Sequence, residues 1–412
     1  MRLEKIGTDR LREAERISSI AFTYPYNEPA PSEENRSVED TMLNSERWGM
    51  IDEKTDRLMG GMILLDYRTR VGEKWLPLTG IGGVATLPEY RREGVIRQIF
   101  TALLPRMYER GAALSGLYPF SHAFYRKFGY ETFGGQNTAT VGLEQLRRFA
   151  APDEVRMIAD PRDDLAARGI YERFAGRYDL AMRRDLDYQW KRTMGGDPYK
   201  ERVYKYLLLR RAGEELEPCA YIVFTPDESD GAGRVANARE AAYLDGDALR
   251  RLLGFMSTFF PHYRKLRITL PGDVNLAALC PDAYDVHSGI AEGYMLRAVN
   301  VRLLLESQPL SPALKLAAQA APLSFSLALS DELIPMNTGR YEVTITPEGV
   351  RCEQGPLAPA DIEVSITAFA QLATGALSLR QAAYRDDVRI NAPCPAAEAL
   401  FTGRPQYIGD HY

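Results

Sequence analysis

The sequence predicts an α+β fold of mixed, mainly antiparallel sheets with helices on their faces, divided into three units. Three observations carry this. A strand, a basic glycine-bearing turn and a helix follow one another over 81–107. A second run of the same plan spans 203–270, with an acidic turn in place of the basic one. Beyond 291 two sets of alternating apolar residues, Tyr341, Val343 and Ile345, then Ile362, Val364 and Ile366, mark strand faces between helical stretches. At 412 residues the chain exceeds what one compact core usually holds.

In the first unit, Leu11, Ala14, Ile17 and Ala21 mark a helical face. Thr23 to Asp40 is rich in Pro, Glu and Asn and reads as a long loop. Its five acids, Glu28, Glu33, Glu34, Glu39 and Asp40, are read as a solvated surface, with a polyamine-attracting rim as the alternative. Phe22, Tyr24, Tyr26 and Trp48 line a substrate groove or belong to the core. Arg47 to Ile51, Leu58 to Tyr67 and Glu73 to Thr86 read as a strand meander. Ile96, Ile99, Phe100, Leu103 and Met107 stand at helical spacing. Ala112 to Leu117 reads as a short strand. Ser121 caps a helix bearing Phe124 and Phe128, which Gly129 ends.

The middle unit reads as strands at Val203 to Leu209 and Pro218 to Phe224, an acidic loop from Thr225 to Ala238, and a strand at Ala241 to Leu244. Leu249, Leu252, Leu253, Met256 and Phe260 form a helical stripe, and Leu266 to Leu270 a closing strand. In the last unit Met295 to Leu303 reads as a strand, and Asn337 to Gly339 as a turn between strands. Ala368 to Thr374, Ser378 to Tyr384 and Ala396 to Phe401 read as helices. The tail from Thr402 to Tyr412 carries few apolar residues to tie it down.

The chemistry concentrates between Ile81 and Ile96. A turn from a strand into a helix leaves backbone N–H groups pointing outward, backed by the positive end of the helix dipole. Such a site suits a phosphate. Gly94 lets the ligand approach the backbone, and Arg91 and Arg92 add positive charge. An ordinary solvated basic turn is the competing reading. The turn is neither a Walker A loop nor G-x-G-x-x-G. In the middle unit Asp245-Gly246-Asp247 stands at the corresponding place, where acids cap a helix and repel a pyrophosphate.

Other functions find less support. A net charge of −5 with scattered basic residues argues against nucleic acid. Cys219, Cys280, Cys352 and Cys394 lie far apart, and His122, His262, His287 and His411 form no ligand spacing, so neither a metal nor a disulfide framework is expected. No apolar run reaches membrane-spanning length and the start lacks a signal-peptide pattern, so a cytoplasmic protein is expected, with no membrane partner.

The string Thr86 to Ile96 resembles the coenzyme A pyrophosphate loop of GNAT acetyltransferases, with Arg91 and Gly94 matching and Ile96 departing from the final small residue. With the second GNAT-like half and the α+β third, the whole chain resembles the Eis (enhanced intracellular survival) acetyltransferase family. Pro88 to Ile96, Phe124-Tyr125-Arg126-Lys127-Phe128-Gly129-Tyr130, and the ending Leu400-Phe401, Arg404-Pro405 and Asp410-His411-Tyr412 carry the resemblance.

The resemblance implies tandem GNAT-like domains at 1–145 and 146–290, the second degenerate. It also implies a sterol-carrier-protein-like α+β domain at 291–412, whose tail reaches the active site. It implies an acetyl-CoA-dependent N-acetyltransferase acting on small primary amines (aminoglycoside, polyamine or lysine type) and a homohexamer. The cofactor residues would be Val84, Ala85, Thr86, Arg91, Arg92, Glu93, Gly94, Val95 and Ile96. Tyr125 would be the general acid and the terminal carboxylate of Tyr412 the general base. His411 stands where the family often has an acid, with Asp410 one place earlier. The rival functions are an N-acyltransferase using a longer acyl-CoA, and a CoA-sensing, lipid-binding protein that turns nothing over.

Overall fold

The computed structural model describes residues 1–26, 45–133, 136–228, 234–291 and 293–410. The long loop beyond Tyr26, with its five acids, and the last two residues of the chain therefore lie outside the described residues.

The first sheet holds β1 (Arg2–Lys5), β2 (Ser45–Asp52), β3 (Arg57–Val71), β4 (Lys74–Thr86) and β5 (Leu114–Leu117); β2 to β4 are the expected meander and β5 the expected short strand, while β1 was not expected. Helix α1 (Leu11–Phe22) covers one face through Leu11 and Ile17; α2 (Val95–Glu109) covers the other through Ile99, Phe100, Leu103 and Leu104. After β5 comes the short α3 (His122–Arg126), where the Ser121 side chain accepts from the Phe124 amide and Gly129 turns the chain at φ 79°. Then follow β6 (Glu131–Thr132) and β7 (Gln136–Gly142).

The second sheet is built from β8 (Glu154–Met157), β10 (Tyr204–Ala212), β11 (Glu215–Asp227), β12 (Val235–Tyr243), β13 (Lys265–Leu270), β14 (Val286–Ala291) and β7. Between β8 and β10 lie α4 (Pro161–Ala175), β9 (Met182–Arg183) and α5 (Asp187–Met194); α6 (Gly246–Ser257) joins β12 to β13. Of the loop expected over Thr225 to Ala238, Thr225 to Asp227 belong to β11 and Val235 to Ala238 to β12, where Val235, Ala236 and Asn237 pair in parallel with Lys265, Leu266 and Arg267. That pairing lies far away in sequence and leaves no local signal.

The segment expected as one strand from Met295 to Leu303 divides. Only β15 (Met295–Ala298) is extended, and it inserts between β5 and β6 in the first sheet. Asn300 then caps α7 (Val301–Leu305), accepting from the Leu303 amide at 2.9 Å. The fully buried Arg297 on β15 donates to the Phe128 carbonyl at 2.7 Å and to Asp331 at 2.6 Å. It thereby ties the end of α3 to the last unit.

The third unit places α8 (Pro312–Ala320), α9 (Ile366–Ala373), α10 (Leu379–Ala382) and α11 (Pro395–Leu400) around a five-stranded sheet ordered β18-β17-β16-β19-β20. Those strands run Leu323–Leu329, Gly339–Thr346, Gly349–Gly355, Ile362–Val364 and Val388–Ile390 for β16 to β20. Ile366 belongs to α9 rather than to the preceding strand, since Ser365 caps the helix. The predicted turn at Asn337 is a buried corner: its amide nitrogen donates to the Val299 carbonyl and to Asp331. One apolar core joins this unit to Tyr67, Leu76, Leu78 and Leu114 of the first sheet.

The tail is docked, although it carries few apolar residues. Tyr407 and Ile408 are buried, and Tyr407 packs edge-on against Phe174 with ring centroids 4.9 Å apart. Tyr407 N–H donates to the Asp179 carbonyl and Gly272 N–H to the Gln406 carbonyl. Arg404 pairs with Asp179. Two aromatic and aliphatic side chains suffice because they enter a seam between units.

Candidate active site

In the first sheet β4 and β5 run parallel and pair only from Leu78–Leu114 to Ile81–Leu117. At Leu117 β5 ends, while β4 runs on to Thr86 and leaves a wedge along its unpaired side. The break coincides with a bulge in β4, where the register against β3 slips between Gly61 and Ile63 and Gly83 takes φ 58°. An extra residue here bends β4 away from its neighbour. Leu87 N–H donates to Met59 on β3 at 2.9 Å. By alternation the Thr86 and Val84 backbone groups face the other way, into the wedge.

The turn beyond β4 runs through a 3₁₀ turn, Pro88–Tyr90, to Gly94 at the N-cap of α2. Gly94 has φ 80°, no side chain caps the helix, and a Cβ there would meet nothing within 4 Å. The first-turn N–H groups of α2 thus lack a side-chain partner, and Arg91 and Arg92 stand exposed beside them. Arg92 also has positive φ, 70°. Of the residues predicted for the cofactor, Ala85 and Val95 are buried, Glu93 is exposed, and Val84 and Ile96 pack against one apolar cluster that also contains Tyr125.

Tyr125 lies on α3 with its ring held by Phe100, Phe120, Phe124 and Tyr130. It is 2% exposed, and burial pushes its pKa above the ordinary tyrosine value. Tyr412, the other predicted catalytic residue, lies outside the described residues. The tail is followed to Asp410, whose carbonyl accepts from the Tyr118 hydroxyl at 2.8 Å. Tyr118 directly follows β5, at the mouth of the wedge. The Asp410 carboxylate accepts from Arg184 Nε at 2.8 Å, while Arg184 also holds Glu240. Burial works to lower the Arg184 pKa, but Asp410 and Glu240 outweigh it and raise the value. Composition gave no sign of Tyr118, Arg184 and Glu240, because each acts through partners distant in sequence.

The second sheet repeats the wedge. β12 and β13 pair over Val235 to Asn237 and then diverge, with a register slip opposite Val223 and Phe224. Two things differ. Asp245 caps α6, accepting from the Ala248 amide at 2.9 Å, and also pairs with Arg210. Near the opening, Glu240 is fully buried on Arg184 and the tail passes alongside.

Residues 2–133 and 180–303 match two acetyltransferase (GNAT) domain families, and residues 310–409 match a sterol carrier protein domain family. The N-acetyltransferase Eis of Mycobacterium tuberculosis is 26% identical over 341 residues, covering 77% of this chain and 76% of the relative. The chain is an Eis-like GNAT acetyltransferase. An uncharacterized N-acetyltransferase of Streptomyces avermitilis is 25% identical over 381 residues, 90% of each chain. Among solved structures, a GCN5-related N-acetyltransferase from Anabaena variabilis superposes with a TM-score of 0.82 at 20% identity, and Eis1 from Mycobacterium abscessus with 0.77 at 19%, each covering all of both chains. The enzyme therefore shares the tandem GNAT plus sterol-carrier architecture of that fold throughout its length. Among the described residues no helix is long and apolar enough to cross a membrane, and no group of acids, histidines and cysteines could hold a metal.

Proposed function

We propose that the enzyme transfers the acetyl group of acetyl-CoA to a small primary amine, using the first wedge. The residues there fit the cosubstrate: an uncapped helix N-terminus with space at Gly94 suits its pyrophosphate, and the outward backbone of Val84 and Thr86 suits its pantetheine amides. Arg91 to Ile96 supply the phosphate donors. When bound, the thioester supplies the activated acyl group; the chain's own residues do the rest. The β4 backbone orients the carbonyl. Tyr125, kept protonated by burial, gives its proton to the departing thiolate. The Tyr412 carboxylate takes the proton of the attacking amine, directly or through water.

The observation that carries this reading is the Tyr118–Asp410 bond. It ties Asp410 to the residue that directly follows β5, which supports a tail directed toward the wedge. On this reading 1–145 is the catalytic unit, 146–290 a GNAT-like unit whose helix N-terminus is capped by Asp245, and 291–412 the unit that delivers the tail. A cytoplasmic homohexamer goes with the same family resemblance. Thiol release from acetyl-CoA should be measured against aminoglycosides, polyamines, lysine peptides and arylamines, with a long-chain acyl-CoA in parallel. Amine-dependent release from acetyl-CoA supports the proposal. Release only from the long-chain donor, or from neither, overturns it.

A further inference from the structure

On the α1 side of the first sheet, a cavity of about 460 Å³ opens between the end of α1 and the β4 bulge. That volume lies in the range of small-molecule sites, roughly 300–1,000 Å³. Its lining includes Phe22, Tyr24, Tyr26, Arg47, Ile63 and Gly83. Gly83 is the bulge residue itself, so the cavity ends behind the backbone assigned to the thioester.

Arg47 is only 9% exposed. Its Nε is buried and makes no hydrogen bond, and no ion pair reaches its guanidinium among the described residues. Burial lowers its pKa, opposed by the field of Glu15 and Tyr24. The hydroxyl of Tyr26, in the same lining, is likewise buried and makes no hydrogen bond among the described residues. A buried polar group left unsatisfied costs about 1–3 kcal/mol, more when charged, and native structures seldom leave one without a reason. Here the two residues that carry such donors line one cavity beside the proposed reaction centre.

We propose that Arg47 and Tyr26 bind a carboxylate on the amine acceptor, so that the preferred acceptor is an amino acid or short peptide rather than a simple polyamine. The inference rests on the acetyltransfer reading above for its chemistry. A guanidinium presents a planar fork of donors that matches a carboxylate, and partial desolvation strengthens the pairing. The aromatic walls from Phe22, Tyr24 and Tyr26 suit an acceptor with an apolar stem.

The sheet register sets the acceptor's length. Arg47 pairs with Ile63, and Ile63 with Gly82. Neighbouring strands lie about 4.8 Å apart, which puts β2 about 10 Å from β4. Acid and reacting amine therefore sit at opposite ends of the acceptor. This favours an ω-amine, or the amino terminus of a short peptide, over the α-amine of a free amino acid.

The test compares ε-aminocaproate with its carboxamide as acceptors. The wild-type enzyme should favour the acid by tenfold or more in kcat/KM, and Arg47→Gln should bring that ratio close to one. Arg47→Lys, keeping the charge but not the fork, should fall between. A wild-type ratio near one, or a ratio unchanged in Arg47→Gln, overturns the proposal. If Arg47→Gln does not fold, Tyr26→Phe serves, and an unchanged ratio there counts against the site equally. If no amine is turned over, the acetyltransfer reading fails by itself. The subsite is then judged by binding: ε-aminocaproate should raise the wild-type melting temperature more than its carboxamide does, and Arg47→Gln should abolish the difference. No such difference in the wild type overturns the subsite.

Discussion

The carboxylate of Asp410 lies 2.8 Å from Nε of Arg184, joining residues 226 positions apart in the chain. Arg184 is the bridge between the tail and Glu240, which is fully buried on β12. The Tyr171 hydroxyl lies 3.1 Å from the same Asp410 carboxylate and 2.7 Å from the Met182 carbonyl. The second GNAT-like unit thus serves as the tail's anchor, and the first unit receives the tail through Tyr118.

Stability and activity should separate along this line. Arg184→Met strands the buried Glu240, a loss on the order of 3–5 kcal/mol, so it should lower the melting temperature strongly. Asp410→Asn leaves the Arg184–Glu240 pair intact and removes one charge-assisted contact, about 1–3 kcal/mol. Its melting temperature should move little while kcat falls at least tenfold. Thermal melts and steady-state kinetics on the two variants check this; full turnover in Asp410→Asn would mean that the anchor does not position the terminus.

Gly94→Asp isolates the phosphate site. A Cβ at Gly94 meets nothing within 4 Å, and aspartate is among the residues that tolerate positive φ, so the fold should survive. The carboxylate would occupy the anion position at the helix N-terminus. Calorimetry should show CoA binding lost, with a melting temperature close to wild type. Unchanged CoA affinity in the folded variant would move the cofactor elsewhere.

Much of this site was legible in the sequence, and the reasons are local. The basic turn, Gly94 and the Ser121 cap act within a few residues of themselves, so their spacing betrays them. Arg47 and Tyr118 escaped because their meaning is a matter of partners, whereas Tyr26 stood among the groove candidates. Arg47 reads as an ordinary strand arginine until the fold buries it with no ion pair among the described residues. The β12 start and the insertion of β15 beside β5 were missed for the same reason, since cross-strand pairing over long separations leaves no periodic trace. The tail carries few apolar residues, yet Tyr407 and Ile408 are both buried, which composition alone left open.

Tyr125→Phe removes the hydroxyl and keeps the packing ring. General-acid help is typically worth ~10²–10⁴ in rate, so kcat should fall within that range while CoA affinity holds. The pH dependence follows from burial. An acid must be protonated to act, so activity would be lost above its pKa, and burial moves that pKa above the ordinary tyrosine value of about 10. The wild-type kcat profile should therefore show no tyrosine-dependent fall below about pH 10. A limb near neutrality that disappears in Tyr125→Phe would contradict the assignment.

The tail provides the sharpest test, because it separates a terminal base from a merely docked tail. The anchors at Asp179, Arg184 and Tyr118 act on residues up to Asp410 and are untouched by changes beyond it. Appending a few residues after Tyr412 leaves every anchor in place and converts the terminal carboxylate into an amide. Deleting His411 and Tyr412 leaves a carboxylate, but withdrawn by up to ~7 Å of extended chain. If the terminus is the base, both changes should cost about as much kcat as Tyr125→Phe, with melting temperature and CoA affinity nearly constant. A tag at the N-terminus should be harmless, since Met1 is exposed and its amine pairs with Glu53 at the surface. If the tail merely closes the seam between units, extension should leave kcat intact, because Asp410 would still hold Arg184. Full turnover in a C-terminally tagged enzyme would therefore remove Tyr412 from the mechanism and leave the base to be sought among side chains of the first unit.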